Sequence, residues 1–105
     1  MGRYVFAVRS NPVAGREDEY NDWYSNRHLD DLRAIPGVIS ARRFALADSQ
    51  ARFEPTQFQY LSLYEVEADD PQVFIDELIS RSGTDRMPLS VALADELSAV
   101  LWKAL

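Results

Sequence analysis

Residues 3–9 carry apolar side chains on both sides of an extended chain: Tyr4, Phe6 and Val8 alternate with Val5 and Ala7, and the run stops at the turn-forming Ser10-Asn11-Pro12. A strand of that composition is covered on both faces. The chain has 105 residues, which fits one domain with a modest core, so both covers must come from few elements.

After Gly15 the acids Glu17, Asp18 and Glu19 suit the positive end of a helix dipole, and the spacing predicts a helix over about residues 16–34. Tyr20, Trp23, Tyr24, His28, Leu32 and Ile35 share one side of it, with Asp18, Asp22, Ser25, Asn26, Asp30 and Arg33 opposite. Arg27 and Asp31 stand four residues apart, where an ion pair is geometrically accessible. Pro36-Gly37 stops the helix.

Residues 38–47 read as a second strand, with Val38, Phe44 and Leu46 on one face and Ile39, Ala41 and Ala45 on the other; Arg42 and Arg43 point to opposite faces. Residues 48–56 include Pro55 and read as a loop able to cover a pocket. A third strand follows at 58–66. Phe58, Tyr60, Ser62, Tyr64 and Val66 lie on one face, so two tyrosines and a serine can line a polar cavity. Asp70-Pro71 starts a second helix, with Phe74, Ile75, Leu78 and Ile79 as its apolar face and Gly83 closing it. Residues 87–97 are assigned a short helix opened by Pro88, and 99–102 a final strand.

The order strand, helix, strand, strand, helix, strand predicts an α+β, ferredoxin-like βαββαβ domain with one antiparallel four-stranded sheet. Two helices cover one face. The simplest cover for the other is the same sheet of a second copy, which predicts a two-fold homodimer forming an α/β barrel.

Composition excludes several function classes. Seventeen acids against eleven basic residues give a net charge of −6, which repels phosphate backbones and anionic membranes, so neither nucleic acid nor membrane is an expected partner. The absence of cysteine removes disulfides and thiolate metal sites. No run has the length of a transmembrane helix or the pattern of a signal peptide, and a cytoplasmic location is the default expectation.

The run Asn11-Pro12 with Gly15-Arg16-Glu17, then Trp23-Tyr24, His28-Leu29, Asp31 and Ile35-Pro36-Gly37-Val38, resembles the EthD-like branch of the dimeric α/β-barrel proteins. The resemblance extends to Gly83-Thr84-Asp85-Arg86-Met87-Pro88 and covers nearly the whole chain. It implies a ferredoxin-like fold, two sheets facing across a dimer, and a pocket between helices and sheet with the helix-one histidine at its edge. The superfamily includes cofactor-free cyclases, lactone isomerases, anthrone-type monooxygenases, haem-degrading enzymes and proteins without assigned activity. Fold therefore does not select a reaction.

His28 is the only histidine, and an imidazole can carry a proton either way near neutral pH. It is the candidate general base, against a structural role at the helix end. Asp31 is a candidate to orient it, with a salt bridge to Arg27 as the competing assignment. Tyr60 is the candidate donor to an enolate oxygen. Trp23, Tyr24, Tyr64 and Arg43 are candidate ligand contacts, although aromatic residues at helical spacing also serve as core. His28 and Asp31 supply only two metal ligands, and the position of the histidine does not match the haem-degrading branch, so no metal and no cofactor are expected. There is no phosphate-binding glycine loop and no nucleophile elbow.

The expectation is a cofactor-independent acid/base enzyme for a small apolar or aromatic carbonyl compound, of isomerase, cyclase, dehydratase or monooxygenase type. A non-catalytic dimer that binds a small hydrophobic ligand, or an accessory dimer with a filled interior, is the alternative.

Overall fold

A computed structural model describes residues 1–52 and 57–105. The elements are β1 (Gly2–Ser10), α1 (Glu17–Trp23), a π-helical turn (Tyr24–His28), α2 (Leu29–Arg33), β2 (Val38–Ala45), β3 (Tyr60–Ala68), α3 (Pro71–Arg81) and β4 (Ser98–Lys103). The strands form one antiparallel sheet in the order β2-β3-β1-β4, the ferredoxin-like arrangement. β1 is interior, paired along both edges by β3 and β4.

One face carries the helices. Phe6 of β1, Ala41 of β2 and Tyr64 and Val66 of β3 are buried there against Tyr20, Tyr24, Leu29 and Leu32 of the first helix and Phe74 of α3. Phe6 meets Phe74 edge-on at 5.5 Å between ring centroids. α3 starts as its sequence requires: the Asp70 side chain accepts a hydrogen bond from the Gln72 amide at 2.9 Å, and Pro71 occupies the first turn.

The opposite face has no element over it among the described residues. Val5 and Ala7 pair there with Trp102 and Val100, and Leu63 stands across from Ala7. Trp102 is 62% exposed. Arg3, Arg42, Phe44 and Glu65 border a depression of about 360 Å³ on this face.

Two expectations are corrected. Val38 does not share a face with Phe44. A bulge between Val38 and Ser40 inserts Ile39 as an extra residue, so Val38 and Ala41 pack toward the helices while Phe44 lies on the open face. Arg42 and Arg43 still diverge. Residues 87–97 form no helix. Hydrogen bonds from Met87 to Thr84 and from Leu93 to Ser90 close successive turns, and bonds from Val13 to Ala92 and from Ala94 to Asn11 pin the segment to the end of β1. Met87 and Ala92 are buried as isolated plugs rather than along one helical stripe, so no amphipathic face is available to hold a helix.

Candidate active site

The first helix places the site through a local departure from α geometry. Its acidic first turn opens normally, with the Glu17 carboxylate accepting from the Gly15 amide at 3.2 Å. At Tyr24 the turn widens: the Leu29 amide donates to the Tyr24 carbonyl, a five-residue step. That step brings residues five apart onto one side of the helix, which an α-turn would not do. Trp23 and His28 accordingly stack at 4.5 Å between centroids, inclined by 28°. Tyr24, four residues before His28, meets the same imidazole edge-on at 5.0 Å. The histidine is held by two rings.

Trp23, Tyr24, His28 and Tyr64 line a cavity of about 150 Å³ between the first helix and the sheet. Its other walls are Phe6 and Val8 of β1 and a row of apolar residues, Met87, Leu89, Leu93 and Leu97, from the irregular segment. The lining is almost wholly apolar, unlike the polar cavity expected from strand three.

Burial pushes the His28 imidazole down to about 4, against a smaller opposing pull from the Asp31 carboxylate. The ring is therefore neutral at pH 7. Its Nδ1 is buried and has no hydrogen-bond partner among the described residues. The Tyr64 hydroxyl is also buried and without a partner there, and burial, reinforced by Tyr24, pushes its acidity far below that of an ordinary phenol. It remains a protonated donor at any physiological pH.

The other expected residues lie elsewhere. Asp31 does not orient His28 by a hydrogen bond: Arg27 Nε donates to both of its carboxylate oxygens, at 2.8 and 3.1 Å, the pairing that a four-residue helical spacing favours. Arg27 Nη2 also donates to the Asp85 carbonyl at 3.0 Å, and Trp23 Nε1 to the Pro88 carbonyl at 3.1 Å. Both tie the irregular segment to the helix. Tyr60 does not line the cavity; its hydroxyl accepts from Asn21 Nδ2 at 3.3 Å, and its ring faces Tyr20 and Arg43. Arg43 sits with it, on the far side of Tyr24.

Sequence reasoning missed the leucine wall and Ser10. Ser10 is among the residues lining the cavity, and its hydroxyl shares a 2.7 Å hydrogen bond with the Tyr20 hydroxyl. A signal for the wall existed, since residues 87–97 are apolar without a period, as a segment that plugs a cavity would be. The loop expected to cover a pocket falls partly on residues 53–56, which lie outside the described residues. Among the described residues no three histidine, aspartate or glutamate side chains gather closely enough to hold a metal ion. No described helix is long and apolar enough to cross a membrane.

No protein-family model matches the sequence, and no curated relative matches it. Solved structures do. A dimeric ferredoxin-like protein of unknown function from Jannaschia superposes with a TM-score of 0.66 at 16% identity, covering 98% of this chain and 100% of the other. A Shewanella loihica protein provisionally named a monooxygenase gives 0.60 at 16% identity, with 100% and 97% covered. An ethyl tert-butyl ether degradation (EthD) family protein from Bacillus halodurans gives 0.56 at 13% identity, with both chains covered completely. At these identities the likeness establishes the fold.

Proposed function

From the ferredoxin-like fold of the dimeric α/β-barrel proteins as premise, we propose that this chain is an acid/base enzyme for a small apolar carbonyl compound about the size of one ring. The observation that carries the reading is a neutral His28 that helps to line an apolar cavity and whose buried Nδ1 has no hydrogen-bond partner among the described residues. A cavity of about 150 Å³ accommodates benzene, which sets the size of the ligand.

In the proposed step His28 removes a proton from the carbon next to the carbonyl, and the two electrons of that C–H bond become the enolate π bond. The Tyr64 hydroxyl donates a hydrogen bond to the enolate oxygen, in place of the Tyr60 expected from sequence. Return of the proton at another carbon completes an isomerisation. The ion pair of imidazolium and enolate forms inside one apolar cavity, and mutual attraction offsets the burial that makes the free imidazole a weak base.

A second reading, binding without turnover, draws support from that same weak basicity. Deuterium exchange separates the two. With cyclohexanone in heavy water, the enzyme reading expects protein-dependent loss of the proton signals beside the carbonyl, abolished by Leu93→Trp, which fills the cavity. Binding without exchange would favour the second reading.

The open sheet face supports a homodimer as part of the proposal, since Trp102, Val100, Val5, Ala7 and Leu63 form an apolar surface too continuous for a solvated sheet. Sedimentation velocity is expected to give a dimer for the parent and a monomer for Trp102→Glu. A monomeric parent would overturn the assembly.

A further inference from the structure

We propose that Arg43, standing behind Tyr24, is a positioning residue that makes the cavity prefer an anionic ring-sized ligand, a phenolate or an enolate, over the neutral acid. The inference rests on the cavity reading above and adds the charge state that the cavity selects.

Arg43 projects from β2 toward the helices. Nη1 donates to Ser25 Oγ and Nη2 to Asn21 Oδ1, both at 2.9 Å, while Nε is buried without a partner among the described residues. The guanidinium carbon lies 4.5 Å from the centre of the Tyr24 ring and 5.4 Å from those of Tyr20 and Tyr60. Three π faces and two neutral oxygens solvate the cation. None of the ion pairs among the described residues includes it. Its positive charge is therefore surrounded but not neutralised.

Tyr24 belongs to both environments. Its ring lies against the guanidinium and also forms part of the cavity wall beside His28. The field crosses that wall, because Arg43 opposes the burial-driven loss of acidity of the Tyr64 hydroxyl as well as that of Tyr20. The ionisable groups facing this region are Tyr20, Tyr24 and Tyr60 around the arginine and His28 and Tyr64 in the cavity, with Asp31 occupied by Arg27. Burial holds the Tyr20 and Tyr64 hydroxyls protonated and keeps the His28 imidazole neutral at pH 7. Arg43 is then the nearby unneutralised cation, and an anion in the cavity is its available counter-charge. Arg43 is itself only partly buried, but the Tyr24 ring and the apolar lining between it and the cavity screen such attraction less than bulk water does.

The test uses the full chain with 4-nitrophenol, whose anion has its own absorption band. The parent protein and the variants Arg43→Met, Arg43→Gln and Arg43→Lys are titrated with the probe below and above its ionisation. Removal of the charge is expected to weaken nitrophenolate binding about tenfold and raise the ionisation pH of the bound probe by about one unit, with neutral nitrophenol bound as before. Arg43→Lys restores most of the preference. Arg43→Gln keeps a side chain able to reach Asn21 and serves if the methionine variant does not fold. Equal nitrophenolate affinity in the parent and Arg43→Gln would overturn the role of Arg43 while leaving the cavity reading standing. Failure of the parent to bind the probe in either form would overturn the cavity reading and this inference together.

Discussion

Replacement of His28 by asparagine is expected to lower the rate of deuterium exchange beside the carbonyl of cyclohexanone by about 10²- to 10⁴-fold, the usual contribution of a positioned general base. Binding of the ketone should change little, because asparagine retains a polar group of similar reach and the apolar walls are untouched. The loss would then appear in the rate at saturating ligand rather than in affinity. The pH dependence carries a second signature. Since the free imidazole titrates at about 4, exchange should be flat through neutrality and decline only below about pH 5. An exchange rate that follows an ordinary histidine titration, or one unchanged in His28→Asn, would remove His28 from the mechanism.

Acid should destabilise the fold through the same residue, whether or not it is catalytic. In the unfolded chain His28 titrates near 6.5, whereas in the fold burial holds it at about 4. Between those values the unfolded chain binds the proton and the folded chain does not, so protonation favours unfolding. The stability present above pH 6.5 is lost as the pH falls toward 4, by roughly 3 kcal/mol at 1.36 kcal/mol for each unit of difference. Urea unfolding at pH 7 and pH 4 should show a smaller decrease for His28→Asn than for the parent by about that amount. Any loss common to both proteins cancels in the comparison. Equal losses in the two would mean that the imidazole is solvated in the folded state.

Much of the fold was legible because strand and helix periods differ so clearly in this chain. The apolar run of residues 3–9 identified β1 as a strand, and Asp70-Pro71 marked the start of α3 to the residue. The bulge at Ile39 was not legible. Ile39 is itself apolar and β-branched, so alternation reads straight through it, and the irregularity shows only when β3 is laid alongside. Gly37 adjoins it with φ of +97°, and a Cβ there would approach the Glu67 carbonyl oxygen to 2.8 Å. That contact joins residues thirty apart, beyond any local pattern.

The site divided in the same way. His28, Trp23, Tyr24 and Tyr64 were identifiable from spacing and resemblance, and the cavity brings them together. Tyr60 and Tyr64 share a strand face, so alternation could not tell which one would meet the histidine. Their positions along β3 decide it: Tyr64 pairs with Phe6 at the middle of β1, and Tyr60 with Ser10 at its end. The widened turn was hidden for a different reason. No residue in Tyr24–His28 is excluded from an ordinary α-helix, and the extra residue shows only in the Leu29 to Tyr24 backbone hydrogen bond and the Trp23–His28 stack.

The two hydrogen bonds from Trp23 and Arg27 to the carbonyls of Pro88 and Asp85 have a kinetic consequence. Both run from the helix that carries His28 to the start of the leucine wall and the turn just before it, so loss of these two bonds would be expected to loosen that wall locally, an opening far smaller than global unfolding. Once it detaches, water reaches the imidazole and its affinity for protons returns toward the ordinary value. If the cavity binds a ligand as proposed above, the residence time of that ligand would also be the interval during which the imidazole is kept dry.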